Sequence, residues 1–182
     1  MTETGALESN VGIRLAQEAD LATITQLALG LERSNKGFNA LSVEETQARI
    51  HDAVFGPNPS TMVFLIEIVG EDEAASGLAF VNRVFPNDSH RHGLRINNIY
   101  ISPNARTKFL PLHFGSWLIR YAQENDYGRI LWNTPKSDKG SILAYRAVGF
   151  EGEDQEMIRL AHNKFDETRA AIERLLARAP AL

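Results

Sequence analysis

Along the chain, apolar positions recur first in alternation and then at helical spacing, and each change of period marks a new element. Residues 12–15 read as a short strand. Leu21, Ile24, Leu27, Ala28 and Leu31 then return every three or four positions, which predicts an amphipathic helix beginning near Asp20. Ser42-Val43-Glu44-Glu45 has the form of a capping box, in which the Ser hydroxyl takes the N3 amide and the Glu reaches back to the cap. A second helix is therefore expected from Val43 to about Val54, broken by Gly56-Pro57-Asn58-Pro59. Residues 61–69 and 75–84 are rich in β-branched and aromatic side chains and flank a short polar run at 70–73, the pattern of a hairpin.

Residues 86–93 form a polar loop, and 94–101 a further strand stopped by Pro103. A long helix follows. Leu112, Gly115, Leu118, Ile119 and Ala122 are assigned to its packed face, with Pro111 in the first turn, where a missing N–H is tolerated. Phe114, Trp117 and Tyr121 make a second apolar face. Asn125 and Gly128 bracket its end before a short strand at 129–132. Residues 138–147 read as another helix, with Gly149 as its stop, and Phe150 and 157–160 supply the last strands. Consecutive strands imply antiparallel pairing, whereas strand–helix–strand over 94–132 implies a parallel pair. The expected fold class is α/β, a mixed and mostly antiparallel sheet with helices on both faces. Phe165, Thr168, Ile172, Leu175, Leu176 and Ala179 mark a C-terminal amphipathic helix, which either packs back over its own domain or makes a homodimer contact. The organisation is thus a polar N-terminal arm at 1–10, one domain at 11–161, and a terminal helix at 162–182.

Composition narrows the function classes. The 182 residues contain no cysteine, which removes disulfides, thiolate metal sites and a cysteine nucleophile. A net charge of −4 lacks the basic footprint of a nucleic-acid binder. The longest apolar stretch, 62–68, is too short for a bilayer, and no secretory signal pattern opens the sequence, so a cytoplasmic protein without a membrane partner is expected. His90-Arg91-His92 offers two imidazoles with no third ligand, and no metal site is assigned. Ser116 and Ser141 have no nearby His–Asp pair, and residues 136–140 lack the leading glycines of a Walker loop.

The most telling stretch is Ile96-Asn97-Asn98-Ile99-Tyr100-Ile101-Ser102-Pro103-Asn104-Ala105-Arg106, then the long helix, then Tyr127-Gly128-Arg129. It resembles the acetyl-CoA-binding core of the GNAT superfamily of N-acetyltransferases. Ile142-Leu143-Ala144-Tyr145-Arg146-Ala147-Val148-Gly149-Phe150 resembles the family's terminal helix and its FY-x-x-x-GF signature. The likeness covers roughly residues 12–160, and 132–150 look most like the polyamine and thialysine (spermidine/spermine-type) acetyltransferases.

This resemblance implies a GNAT fold, acetyl-CoA as acyl donor, and a small-molecule primary amine as acceptor, joined in a ternary complex. It places the thioester carbonyl near backbone N–H groups of Ile99, Tyr100 and Ile101. The diphosphate would lie against Arg106, Thr107, Lys108, Phe109, Leu110 and Leu112, at a helix N-terminus whose amides and dipole favour an anion. Both glycines of the family's loop are replaced here, by Phe109 and Pro111, and Pro111 has no N–H to give. By the same resemblance, Asp138 contacts the pantetheine arm, and Tyr145 protonates the leaving thiolate, a phenol being of comparable basicity. Asn97 and Asn98 stand where polyamine-type members carry acids, and an amide orients a water or an amine rather than taking a proton. Glu32 and Glu67 are the alternative acids. Glu32, Asn97, Asn98 and Trp132 form the expected acceptor site. The competing expectation is a non-catalytic GNAT-fold module that no longer grips acetyl-CoA, and a third is transfer from another acyl-CoA.

Overall fold

The computed structural model describes residues 11–34, 41–68, 75–85, 91–105, 110–134, 136–147 and 149. The N-terminal arm, the 70–73 turn, the diphosphate loop at 106–109 and the segments assigned to the last strands and C-terminal helix lie outside these residues. Contacts divide the chain into a unit Met1–Asn133 and a unit Thr134–Leu182. The first contains β1 (Val11–Leu15), α1 (Leu21–Ser34), α2 (Val43–Phe55), β2 (Met62–Ile68), β3 (Gly77–Val84), β4 (Gly93–Ile101), α3 (Leu110–Glu124) and β5 (Arg129–Trp132). The second contains α4 (Lys139–Ala147). The element order follows the sequence pattern, with two added 3-10 turns at Glu18–Asp20 and Pro103–Ala105.

The sheet runs β1-β2-β3-β4-β5, antiparallel for the first three pairs and parallel for β4 with β5. Both faces are covered, so the central strands are apolar on both sides. In β2, Val63 and Leu65 join a cluster with Ile24, Leu27, Ala28 and Ile50 of α1 and α2. Phe64 and Ile66 point the other way and join Phe114, Leu118 and Ala122 of α3. Each such fully buried side chain contributes on the order of 1.5–3 kcal/mol. β3 alternates likewise, with Leu78 on the α1–α2 side and Ala79 and Val81 on the α3 side.

The capping box is formed. Glu45 N donates to Ser42 Oγ at 3.1 Å, and Ser42 N donates to Glu45 Oε2 at 3.0 Å. This fixes the phase of α2 so that Thr46 and Ile50 turn inward.

The packed face of α3 differs from expectation. Phe114, Leu118 and Ala122 are the buried positions, and Trp117 and Tyr121 pack beside them, each edge-on to Phe64 at about 5 Å between centroids. Ile119 is 42% exposed, and a Cβ added at Gly115 would meet nothing within 4 Å. The aromatic stripe assigned to a second face therefore joins the expected Leu118 and Ala122 in one broad core face. The largest side chains take the greatest buried area, and positions 115 and 119 rotate away by helical geometry.

Two local features hold the sheet's margins. Arg14 on β1 donates two bonds to Asp20, at 2.6 and 2.8 Å, and one to Glu67 on β2 at 3.0 Å. The guanidinium bond holds the Asp20 carboxyl below its ordinary range, against an opposing effect of burial. At the start of β3, a Cβ on Gly77 would lie 2.6 Å from the Tyr100 carbonyl oxygen, so only glycine lets β3 approach β4 there.

Two outcomes follow from these contacts. Because the Asp20 pKa is lowered on folding, its stabilisation is present above the unfolded carboxylate value and is lost as pH falls through the depressed one. Asp20→Asn should cost about 1 kcal/mol at neutral pH for so exposed a pair, with the difference from wild type closing in acid, as read by urea unfolding across pH. Gly77→Ala should cost about 1–3 kcal/mol in the same measurement, since backbone rather than a side-chain tip must yield.

Candidate active site

A cavity of about 270 Å³ opens between α1, α2 and the β3–β4 face. α1 lines it with Ala28, Leu31 and Glu32, and α2 with Thr46, Arg49 and Ile50, three positions of one helical face in each case. Leu41 lies ahead of α2, and Phe80 and Asn98 form the sheet wall. The spacing between α1 and β4 beside this cavity is set by a glycine. A Cβ at Gly30 would sit 2.6 Å from the Tyr100 hydroxyl oxygen, so the tyrosine ring rests on the bare helix backbone.

Asn98 reaches the cavity through an irregularity in β4. Phe80 pairs with Asn98 and Val81 with Ile96, which leaves Asn97 as an extra residue with no partner on β3. A bulge of this kind reverses the inward–outward alternation of the strand. Before it, even-numbered Leu94 and Ile96 pack on the α3 side. After it, even-numbered Tyr100 packs on the α1–α2 side and Asn98 lines the cavity. Asn97 Nδ2 donates to Asn82 Oδ1, and Asn82 in turn donates to Ser60 O and to Thr61 Oγ1, the latter at 3.2 Å. This amide relay ties the bulge to the start of β2.

The same strand loses its other neighbour at the same point. Parallel pairing with β5 ends at Ile96–Trp132. Residues 97–100 of β4 therefore present an edge without a strand partner on the β5 side among the described residues. Alternate backbone groups along such an edge point outward, available to a ligand that pairs as a strand would. Ile99 on this edge is 44% exposed, while Ile101 packs against the α3-side cluster. Ser102 N donates to Ser76 O at 2.9 Å and Ala105 N to Ser102 O at 3.0 Å, which turns the chain toward α3.

The residues expected to form the site are distributed as follows. Glu32 and Asn98 meet at the cavity, and Asn97 stands next to it in the amide relay. Trp132 packs against the α3-side cluster, on the opposite face of the sheet. Glu67 is engaged by Arg14. Ile99 and Tyr100 belong to the open part of β4, with Tyr100 also supporting α1, and Ile101 ends the strand packed against the α3-side cluster. Arg106, Thr107, Lys108 and Phe109 lie outside the described residues; Leu110 and Leu112 fall in the first turn of α3 with Pro111 between them. In the second unit, Asp138 O accepts from Ile142 N at 3.2 Å at the entry to α4, and Tyr145 lies within that helix.

Sequence reasoning missed Thr46, Arg49 and Phe80. Arg49 is four residues beyond the capping Glu45, and Thr46 and Ile50 share its helical face, so the capping box combined with helical period carried the signal. Among the described residues no group of three His, Asp or Glu side chains gathers as a metal site. His92 packs edge-on to Phe85 at 5.4 Å, and Arg91 pairs with Asp126 at 3.4 Å. No described helix is long and apolar enough to cross a membrane.

No protein-family model and no curated protein sequence matches the chain. Solved structures do. An integron cassette protein from the mobile metagenome of V. cholerae superposes with a TM-score of 0.74 at 19% identity, over 88% of this chain and 98% of the other. A possible acetyltransferase from Clostridium difficile 630 gives 0.68 at 12% identity, over 83% and 97%. The aminoglycoside N-acetyltransferase AAC(6')-Iy, in complex with CoA, gives 0.62 at 14% identity, over 84% and 95%. At these identities the shared property is the fold. The chain has the α/β fold of the GNAT acetyltransferases, a mixed, mostly antiparallel sheet with helices on both faces.

Proposed function

We propose that this protein transfers an acetyl group from acetyl-CoA to the primary amine of a small molecule, by direct attack in a ternary complex. The observation that carries the reading is the double position of Asn98. It belongs to the part of β4 that β5 leaves unpaired, and it also lines the cavity between α1 and α2. A donor laid along the open edge and an amine held in the cavity would therefore meet at one strand. Bringing two reactants together in that way is a large part of what an acyltransferase must do.

Acetyl-CoA supplies the activated thioester. We assign the polarisation of the thioester carbonyl to backbone N–H groups around Ile99 to Ile101. Asn97 and Asn98 orient the amine or a water beside it, and the relay through Asn82 holds Asn97 in place. Glu32 is the carboxylate that attracts the ammonium form. Arg106, Thr107, Lys108 and Phe109, with Leu110 and Leu112, are the residues we assign to the diphosphate, and Asp138 to the pantetheine arm. Tyr145 is assigned the proton for the departing thiolate. The AAC(6')-Iy structure, which holds CoA on the same fold, supports the choice of donor.

A second reading, a GNAT-fold binding module without transfer activity, is favoured by Phe109 and Pro111. Each removes a feature of the phosphate loop, and a lost hydrogen bond to a charged group costs about 1.5–3 kcal/mol. Arg106 and Lys108 offset part of this by direct charge pairing.

Thermal unfolding separates the two. Acetyl-CoA at a hundred times its Kd should stabilise the protein by about 2.7 kcal/mol. No shift at millimolar acetyl-CoA would leave the binding module as the better account. Phe109→Gly should tighten acetyl-CoA binding in a titration. Tyr145→Phe should lower kcat by about 10²-fold or more while leaving that binding unchanged, as measured by CoA release; equal turnover would remove the role given to Tyr145.

A further inference from the structure

The lining of the acceptor cavity carries more information than the presence of one carboxylate. Glu32 from α1 and Arg49 from α2 both border it, together with Asn98 and Thr46, and the remaining wall is apolar: Leu31, Ile50 and Phe80 among others. Neither charged group takes part in the ion pairs among the described residues, which join Arg14 to Asp20 and Glu67, His51 to Glu18, and Arg91 to Asp126. Glu45, four residues before Arg49 on α2, bonds the Ser42 cap and feels Arg49 only through space. Thr46 is 5% exposed, and its hydroxyl has no hydrogen-bond partner among the described residues, which is unusual for so buried a group.

We infer that this cavity selects a small acceptor bearing a carboxylate as well as its amine, on a short apolar body. The inference rests on the acetyl-transfer reading for the word acceptor, and on the cavity alone for the selectivity. A single amine would satisfy Glu32 and leave Arg49 facing it with like charge. A polycation, such as an aminoglycoside or a polyamine, would meet that repulsion with more charges. An aminocarboxylate satisfies both ends: its ammonium lies between Glu32 and Asn98, next to β4, and its carboxylate meets the planar fork of Arg49. The volume fits this size. About 270 Å³ lies just below the usual range for drug-sized ligands and is ample for an amino acid. The chemistry thus separates this chain from the aminoglycoside N-acetyltransferase that shares its fold.

Isothermal titration of the full chain with four probes tests this: leucine, leucinamide, 4-methylpentanoate and kanamycin. Leucine should bind at least ten-fold more tightly than either one-ended analogue, and kanamycin more weakly than leucinamide. Arg49→Gln should weaken leucine at least ten-fold, while leucinamide, relieved of the like charge, binds more tightly than to the unaltered chain. Glu32→Gln should bring leucine to the level of 4-methylpentanoate. The ranking of probes on the unaltered chain needs no variant to fold. Leucinamide or kanamycin binding as tightly as leucine, or no probe binding, would overturn the inference. Leucine bound with the expected selectivity, but without CoA release when acetyl-CoA is added, would uphold the cavity's preference and remove acetyl transfer. CoA release with kanamycin preferred would do the reverse.

Discussion

The architecture turns on a conflict that β4 must resolve. It has to stay paired with β3 along its whole length, because that pairing closes both apolar clusters, yet it has to part from β5 halfway. The bulge at Asn97 is the device that reconciles these demands. One extra residue shifts the strand's alternation, so that the same strand feeds the α3-side core with Leu94 and Ile96 and the α1–α2 side with Asn98 and Tyr100. Without that shift, Asn98 would be directed with Ile96 into the apolar layer beneath α3, where an unpaired amide is costly.

Each further feature of the site leans on this one. The relay from Asn97 through Asn82 to the 60–61 segment anchors the bulge with side-chain amides on a neighbouring strand. Tyr100, turned toward α1 by the shifted register, meets Gly30 and sets how closely that helix can approach. The cavity occupies the space beside this contact, with α2 completing its far wall. The cavity is therefore built on strands and helices of one unit, the arrangement that holds functional groups most firmly.

The superposition with solved structures extends over more than four-fifths of the chain at 12–19% identity, so what persists is the path of the backbone. A fold of this kind hosts many functions, and what distinguishes one chain from another lies in individual side chains. The polar groups bordering the cavity of this chain are few: one carboxylate, one guanidinium, one amide and one buried hydroxyl around an apolar hollow.

The sequence by itself determined the elements and their order. Alternating and helical periods, the Ser42–Glu45 box and the punctuation by Gly and Pro are local signals, and they act over a few residues whatever lies elsewhere in the chain. They also contained the bulge, since the apolar positions of β4 move from 94 and 96 to 99 and 101 across Asn97-Asn98. Two things were decided only in three dimensions. The packed face of α3 broadened from Leu118 and Ala122 to take in Phe114, Trp117 and Tyr121, because Trp117 and Tyr121 meet Phe64 on the facing side of the sheet, more than fifty residues away. The meeting of Glu32, Arg49 and Asn98 around one cavity, with Trp132 on the opposite face, depends on where α2 lies over β4. No local period encodes that distance, because it is fixed by the packing of elements that are remote in the chain.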